Sequence, residues 1–199
     1  MSVRRYGPGD YRDMPWKNGG GSTTELLLEP PGGSLAAGFL WRVSTASVAQ
    51  SGPFSRFPGI DRTLLLLDGD GLELDHGPHG CALLPGPWEP ARFSGDWTTR
   101  GRLLGGPCRD FNVMSARGRI RHAVAVLHPE AAPPVLPEAA TVLVYCARGR
   151  GAVGGMALTT GHLLRFEGED AGAVSLAEAV TLEAEAVLVV VALDPVPGG

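Results

Sequence analysis

Two short tracts of the sequence hold its rarest polar side chains. Lys17 is the only lysine in the chain, and its neighbour Asn18 is one of two asparagines. The second asparagine, Asn112, lies two residues after Asp110. Arginine supplies the other sixteen basic residues, which indicates that compositional drift has replaced lysine wherever it was replaceable. We therefore predict that both tracts belong to one site that binds a small polar molecule.

A run of three glycines begins at Gly19, directly after Asn18. Glycine backbone can approach a ligand closely, and consecutive free N–H groups can hold an anion. A tight connection between strands explains the same glycines equally well. Trp16, just before the run, either offers a ligand its flat apolar face and one N–H donor or pins the loop into the core.

Two arginines lie in strand-like segments and are candidates for carboxylate binding. Arg42 alternates with Trp41 and Val43, so it faces the opposite side of its strand, which in a barrel is the interior. Arg62 precedes four leucines at the start of another strand. A buried guanidinium needs a partner, which is either a ligand carboxylate held in a bidentate fork or an acidic side chain such as Asp110.

Two further side chains belong to the same candidate site. Phe54 lies in an aromatic, proline-bounded loop that either walls a pocket or plugs one end of a barrel. Asn112 should point away from Phe111 and Val113, because successive strand residues face opposite sides. Its amide offers a donor and an acceptor, which suits a formyl, amide or carboxylate group or braces a neighbouring loop.

Composition excludes several classes of partner. The formal net charge is −4 and no basic stripe is present, so we expect neither nucleic acid nor an anionic membrane surface as a partner. No run approaches the roughly 18–20 apolar residues of a bilayer-spanning helix. Residues 1–7 also lack the apolar stretch of a signal peptide. We expect a cytoplasmic protein, either a monomer or a homodimer.

Short apolar or alternating runs recur between glycine and proline turns, which predicts an all-β sandwich or barrel. The turn at 68–71 predicts a hairpin between strands at 62–67 and 72–75. Residues 152–157 predict a single strand, and alternation at 180–186 favours a strand over a helix.

A proline-rich segment at 129–138 divides the chain into similar halves, 1–128 and 129–199. In each half a glycine-turn hairpin precedes a glycine-bounded strand, which is the layout of a cupin barrel. We predict a tandem cupin, or bicupin, in one compact unit. The ligand pocket is expected in the first module, and the second module is cupin-like.

Four sequence motifs together resemble the HutD/Ves family. They are residues 14–21 with Thr24 and Glu25, residues 41–44, residues 52–62 and residues 110–114. The resemblance implies a bicupin of the RmlC-like, double-stranded β-helix type. It also implies a link to histidine utilisation, as for some members of the family, and binding of a small metabolite of that pathway. It adds Thr24 and Glu25 to the candidate ligand-binding residues.

No metal or other cofactor is expected. Metal-binding cupins carry two histidines separated by one residue, with an acid and a third histidine further along. Here His76 and His79 are separated by two residues in a predicted turn, and no closer pair occurs. The three cysteines are odd in number and widely spaced, which predicts neither a disulfide framework nor a thiolate zinc site.

The sequence leaves three functions open, of which we favour the first. It is metal-free binding of a small anionic or formamido metabolite, such as urocanate, formylglutamate, formiminoglutamate or formate, with a regulatory role in or near histidine catabolism. The second is a metal-independent isomerase or hydrolase acting on a related metabolite, with Glu25, Asp110 or His122 as general acid or base. The third is a protein-interaction module that docks through its acidic second half.

Overall fold

The computed structural model describes residues 3–16, 19–33, 35–130, 139–168 and 180–198. This part of the chain contains eighteen β-strands, two short 3-10 turns and no α-helix, so the predicted all-β class is confirmed. Accordingly, no helix in the described residues has the length and apolar character needed to cross a bilayer.

The strands, in chain order, are β1 (Val3–Tyr6), β2 (Arg12–Pro15), β3 (Gly21–Glu29), β4 (Trp41–Val48), β5 (Gly52–Pro53), β6 (Ile60–Asp68), β7 (Leu72–Asp75), β8 (Cys81–Leu84), β9 (Ala91–Ser94), β10 (Arg100–Leu103), β11 (Cys108–Ala116), β12 (Ile120–Leu127), β13 (Thr141–Arg148), β14 (Arg150–Val153), β15 (Met156–Thr159), β16 (Leu163–Glu167), β17 (Val180–Leu182) and β18 (Val187–Pro195). The 3-10 turns are Pro8–Asp10 and Gly77–His79.

The chain forms two compact units whose limits differ from the predicted division after residue 128. The first unit contains residues 11–120, and the second contains residues 1–10 together with 121–199. The difference arises from strand pairing. β1 pairs with β16, and β12 lies beside β18, so both ends of the predicted first module join the sheet of the second unit.

Two antiparallel sheets build the first unit. The larger sheet has the strand order β2-β3-β4-β11-β6-β9, and the smaller has the order β5-β10-β7-β8. Alternation divides β11 into two faces. Phe111 and Val113 on one face are fully buried, whereas Asp110, Asn112 and Met114 lie on the other. This second face carries the candidate site.

The predicted hairpin around residues 68–71 is wrong. β6 pairs with β9 and β11, whereas β7 pairs with β8 and β10, so the turn carries the chain from one sheet to the other. Gly69, at φ 110°, lies so close to Cys108 that an added Cβ would approach the cysteine Cβ to 2.6 Å. Glycine is required there by a close crossing and not by a hairpin turn.

The second unit repeats the topology of the first. Its sheets have the orders β1-β16-β13-β18-β12 and β15-β14-β17. The neighbours β18-β13-β16 match β11-β6-β9, and β17-β14-β15 match β10-β7-β8, each in the same chain order. Over these matched strands the two units therefore share one pattern of strand connections.

Two local predictions in the second half need correction or restriction. Residues 152–157 do not form one strand, because Gly154 and Gly155, both at positive φ, turn the chain between β14 and β15. This is the glycine turn typical of a two-residue hairpin. Of the strand predicted at 180–186, only residues 180–182 form β17, because residues 183–186 form a turn before β18 in which the Ala186 N–H donates to the Glu183 carbonyl. Residues 169–179 lie outside the described part of the chain.

Candidate functional site

Strand register brings the polar candidates onto one face of the larger sheet in the first unit. On β11, Met114 lies opposite Arg42 of β4 and opposite Arg62 of β6. Two residues along, Asn112 lies opposite Ser44. Side chains directly opposite each other in an antiparallel pair share a face, so both arginines and the amide point the same way.

This face forms one wall of a cavity of about 570 Å³. Its volume falls within the range of roughly 300–1,000 Å³ that is usual for small-molecule sites. The lining residues are Met14, Pro15, Trp16, Thr23, Leu35, Arg42, Ser44, Ala46, Pro53, Phe54, Ser55, Phe57, Arg62, Asp110, Asn112 and Met114.

Six of the eleven predicted site residues line this cavity. They are Trp16, Arg42, Phe54, Arg62, Asp110 and Asn112. Gly19, Thr24 and Glu25 lie outside the lining set. Lys17 and Asn18, which first drew attention to this region, fall outside the described residues.

The glycine run forms the turn between β2 and β3. The Gly19 N–H donates to the Trp16 carbonyl at 3.0 Å, and the Trp16 N–H donates to the Gly21 carbonyl at 2.9 Å. A Cβ on Gly21 would lie 2.2 Å from the Ser47 carbonyl oxygen, so the backbones of β3 and β4 approach too closely for a side chain. A tight connection therefore accounts for these glycines.

The ring of Trp16 lines the cavity, but its indole N–H is not available to a ligand. The indole Nε1 donates to Thr23 Oγ1 at 2.8 Å, which satisfies the N–H and fixes the ring against β3. The prediction chose Thr24, one residue too far along the strand. Thr24 donates instead to Asp13 Oδ1 at 2.5 Å. A shift of one residue moves a strand side chain to the opposite face.

Arg42 is held by an acid from the neighbouring strand. Its Nε donates to Glu25 Oε2 at 2.7 Å, and its Nη1 reaches Ser44 Oγ at 3.4 Å. The side chains of Arg42 and Glu25 are 5% and 13% exposed, so the pair is largely shielded from water. Glu25 therefore supports the cavity wall by fixing an arginine.

Arg62 lies among aromatic rings. Its guanidinium carbon is 4.7 Å from the ring centre of Phe93, 5.4 Å from that of Phe57 and 5.8 Å from that of Phe54. Such contacts attract a cation to the ring face. Its Nη1 donates to the Ser55 carbonyl at 3.3 Å, while the buried Nε has no hydrogen-bond partner in the part of the chain that the structure describes. Burial lowers the pKa of Arg62 to about 10, so the group stays charged near neutral pH.

Asp110 is the buried acid of the cavity. It is 2% exposed, and burial raises its pKa to about 7, against the opposing attraction of Arg62 and a hydrogen bond from the Ala46 backbone. Within the described residues, neither its Oδ1 nor the Oδ1 of nearby Asn112 has a hydrogen-bond partner. Buried polar atoms are rarely left unpaired, so this wall has unused hydrogen-bonding capacity directed by two adjacent side chains.

The cavity residues do not fit a metal ion. No cluster of three histidine, cysteine or acidic side chains suited to a metal occurs in the described parts of the chain. The polar wall instead holds two guanidinium groups, which repel a cation. His76 and His79 lie elsewhere, where His76 Nδ1 contacts Thr99 Oγ1 at 2.9 Å and His79 stacks on Trp97 at 4.7 Å. His122 belongs to β12 in the sheet of the second unit.

The repeated topology allows individual residues of the two units to be matched. The β6–β11 pair of the first unit and the corresponding β13–β18 pair of the second unit each contain a bulge, whose extra residue is Leu67 on β6 and Ala147 on β13. Aligning the bulges matches Leu188 with Asp110.

The positions of the second unit that correspond to the polar wall of the first unit carry apolar residues. Val142 takes the place of Arg62, Leu188 that of Asp110 and Val190 that of Asn112. All three apolar residues belong to a hydrophobic core cluster. The equivalent face is thus a packed core in one unit and a polar cavity wall in the other.

Residues 9–184 match the HutD family model. The chain belongs to the HutD family. An uncharacterized 21.2 kDa protein in the hutC 3' region of Pseudomonas putida is 39% identical over 140 residues, which is 69% of this chain and 70% of that protein. Protein Ves of Citrobacter koseri is 36% identical over 121 residues, 59% of this chain and 61% of the Ves protein. The predicted HutD/Ves resemblance is confirmed.

Solved structures show that the fold is shared with this HutD chain throughout. A conserved protein of unknown function from Pseudomonas aeruginosa PAO1 has a TM-score of 0.82 at 31% identity, covering 98% of this chain and 100% of that protein. HutD from Pseudomonas fluorescens SBW25 has a TM-score of 0.76 at 29% identity, with coverages of 98% and 99%. The predicted cupin fold is confirmed.

Sequence reasoning missed several residues lining the cavity of this HutD chain. Ser44, Ala46 and Met114 could have been found, because each is an even number of residues from Arg42 or Asn112 on the same strand. Phe57 lies in the loop already identified through Phe54. Nothing in the local pattern indicated Leu35.

Proposed function

We propose that this HutD-family chain binds a small carboxylate-bearing metabolite, without a metal, in the cavity of its first unit. One observation supports the proposal above all. Arg62, Asp110 and Asn112 each place a buried polar atom, without a hydrogen-bond partner among the described residues, in the wall of a cavity of suitable size. A ligand that pairs with these atoms removes the cost of leaving them unpaired.

The charges of the wall favour a carboxylate. Glu25 neutralises Arg42 through their 2.7 Å contact, whereas no carboxylate of the described residues lies within hydrogen-bonding distance of Arg62. Arg62 also has its Nε–H available, and a guanidinium with free N–H groups is well suited to a carboxylate. Trp16, Phe54 and Phe57 add apolar walls for the carbon skeleton of the ligand.

The relatives suggest the biological setting. One relative is named for its place in the hutC 3' region, and the solved HutD structure from Pseudomonas fluorescens is described for a formate condition. We therefore propose a regulatory role in or near histidine catabolism, exerted in the cytoplasm through occupancy of the cavity. The candidate ligands are urocanate, formylglutamate, formiminoglutamate and formate. The protein would act as a monomer or homodimer built from two tandem cupin modules.

Titration calorimetry with these four compounds tests the proposal. We expect at least one compound to bind, and Arg62→Met to weaken that binding at least about tenfold, because hydrogen bonds to charged groups are the stronger ones. Arg109→Met is the matched control, since Arg109 is exposed on β11 and lies outside the cavity lining. Failure of every compound to bind, or equal binding by both variants, contradicts the proposal.

Asp110 supports a second candidate, a metal-independent isomerase or hydrolase. A buried acid whose pKa lies near 7 can both donate and accept a proton at neutral pH, as a general acid or base must. Turnover of one of the four compounds, lost in Asp110→Asn while binding persists, would favour catalysis over binding alone.

An interaction module has less support. A filled cavity in the first half and an exposed apolar patch on the second half would favour this function. The cavity is open, and the exposed large apolar side chains of the described residues, Leu35, Leu83 and Leu104, all lie in the first unit.

A further inference from the structure

The unpaired atoms of the cavity wall differ in the partner that each requires. The Arg62 Nε–H is a donor and needs an acceptor. The Asn112 Oδ1 is an acceptor and needs a donor, and so does the Asp110 Oδ1 when the acid is ionised. These three residues are at most 9% exposed, so bulk water is a poor substitute for a ligand. A ligand that pairs with all three atoms must therefore supply one hydrogen-bond acceptor and two donors.

The acceptors lie side by side. Asp110 and Asn112 are two residues apart on β11 and face the same side, which separates their Cα atoms by about 6.6–6.8 Å. Arg62 lies opposite Met114, one further step of two residues along the strand. The acceptor of a ligand thus belongs at the Arg62 end, and its donors belong at the Asp110 end.

The charges agree with this polarity. Arg42 is neutralised by Glu25, which leaves Arg62 and Asp110 as the other two charged residues lining or bracing the cavity among the described residues. When Asp110 is ionised these two charges cancel. A guest with only negative charge would then add an uncompensated anion beside the Asp110 carboxylate, which is unfavourable in a buried site.

We propose that the cavity selects a carboxylate that also carries a cationic N–H donor group, of the amidinium or imidazolium type, with the carboxylate at Arg62 and the N–H groups at Asp110 and Asn112. This inference rests on the proposed function, because it concerns the same cavity. It makes Asp110 the residue that determines specificity. Anions that offer only acceptors, such as formate, bind Arg62 alone and are held weakly.

A matched pair of ligands tests the inference. N-formimidoylglutamate and N-formylglutamate share one skeleton and two carboxylates, and they differ in a cationic =NH2+ group in place of a carbonyl oxygen. The first donates where the second accepts. Titration calorimetry at pH 8 compares the two ligands on the same protein. We expect the formimidoyl compound to bind at least about tenfold more tightly, since a site built around one hydrogen-bonding pattern rejects analogues that lack it.

Variants assign the selectivity to a residue. In Asp110→Asn the preference for the formimidoyl compound should fall below about threefold, because the buried carboxylate that favours a cation is gone. Asp70→Asn, which changes an exposed acid outside the cavity lining, should leave the preference unchanged. The ratio measured on the unaltered protein stands on its own if Asp110→Asn does not fold.

The outcomes separate the two proposals. Equal binding of both ligands, or tighter binding of the formyl compound or of formate, overturns the donor requirement while leaving carboxylate binding intact. A preference that survives in Asp110→Asn removes Asp110 from its role. Binding of none of these ligands overturns the proposed function together with this inference.

Discussion

Two buried arginines on the same sheet face differ in how their charge is stabilised. Arg42 has a carboxylate partner, Glu25, at 2.7 Å, so its charge is compensated within the protein. Arg62 has three aromatic rings, one carbonyl acceptor and an unpaired Nε. Because a buried charge without a hydrogen-bonded counter-ion is costly, a fold that keeps one needs a reason outside its own stability. Binding of a ligand carboxylate is such a reason.

The pKa of Asp110 gives the site a signature in the pH dependence of stability. In the folded protein burial raises this pKa from 3.8 to about 7. Between those values the folded chain holds a proton on Asp110 that the unfolded chain has released. Stability from this group is therefore present at low pH and is lost as the pH rises through 7.

We predict that Asp110→Asn changes this dependence. The stability of the variant minus that of the unaltered protein should become more positive by about 2.7 kcal/mol between pH 5 and pH 8, at about 1.36 kcal/mol for each of the two pH units between 5 and the folded pKa. Urea denaturation at both pH values measures it. Asp70→Asn, an exposed acid, is the control. A constant difference between the two pH values would show that Asp110 titrates normally in the folded protein.

Among the elements, the strands were largely predictable and their pairing was not. Alternation correctly set Arg42 and Asn112 on the face opposite Val43 and Val113. The turn at 68–71 was recognised, but a turn signal does not say which sheet receives the next strand. Pairing of Arg42 with Glu25 joins residues seventeen positions apart on neighbouring strands, and no local pattern indicates it.

The loop that carries Phe54 depends on a glycine of the smaller sheet. Gly101 of β10 lies so close to the Phe54 ring that an added Cβ would stand 2.4 Å from Cε2. Its register partner on β5, Gly52, has open space at the same point. These facing glycines differ only in whether a methyl group would displace a wall of the cavity.

We predict that Gly101→Ala weakens ligand binding by about three- to tenfold, because the added methyl group displaces the Phe54 ring from the cavity wall. Overpacking of this kind also costs the fold about 1–3 kcal/mol of stability. Gly52→Ala should leave the affinity unchanged. Calorimetry with the tightest-binding of the four candidate compounds measures both variants. Equal affinities would mean that the Phe54 ring does not contact the ligand.

At the scale of the whole chain, the two units share a strand topology but differ in the side chains on one equivalent sheet face. The second unit fills its face with Val142, Leu188 and Val190, as a core requires. The first unit places Arg62, Asp110 and Asn112 at the matching positions. Sequence spacing predicted a repeat, but the match of individual residues needed the bulges in the β6–β11 and β13–β18 pairs, which fix the register of β11 and β18. The comparison separates side chains needed for folding from those that the fold can do without.

This separation predicts the behaviour of a chain in which the first unit copies the second. The triple variant Arg62→Val, Asp110→Leu, Asn112→Val should fold with an unchanged or higher Tm, because replacing buried ionic groups together by apolar ones is often neutral or stabilising. It should bind none of the candidate compounds. Thermal denaturation followed by circular dichroism, together with calorimetry, measures both properties.

The reciprocal change supplies the control. Val190→Asn places an amide in the core of the second unit without partners, and it should destabilise the protein by about 1–3 kcal/mol. If the triple variant instead loses its cooperative transition, the polar wall is required for folding and not for a ligand. If the triple variant folds and still binds, the ligand lies elsewhere in the chain. Only a stable protein that no longer binds agrees with a cavity wall kept polar for its guest.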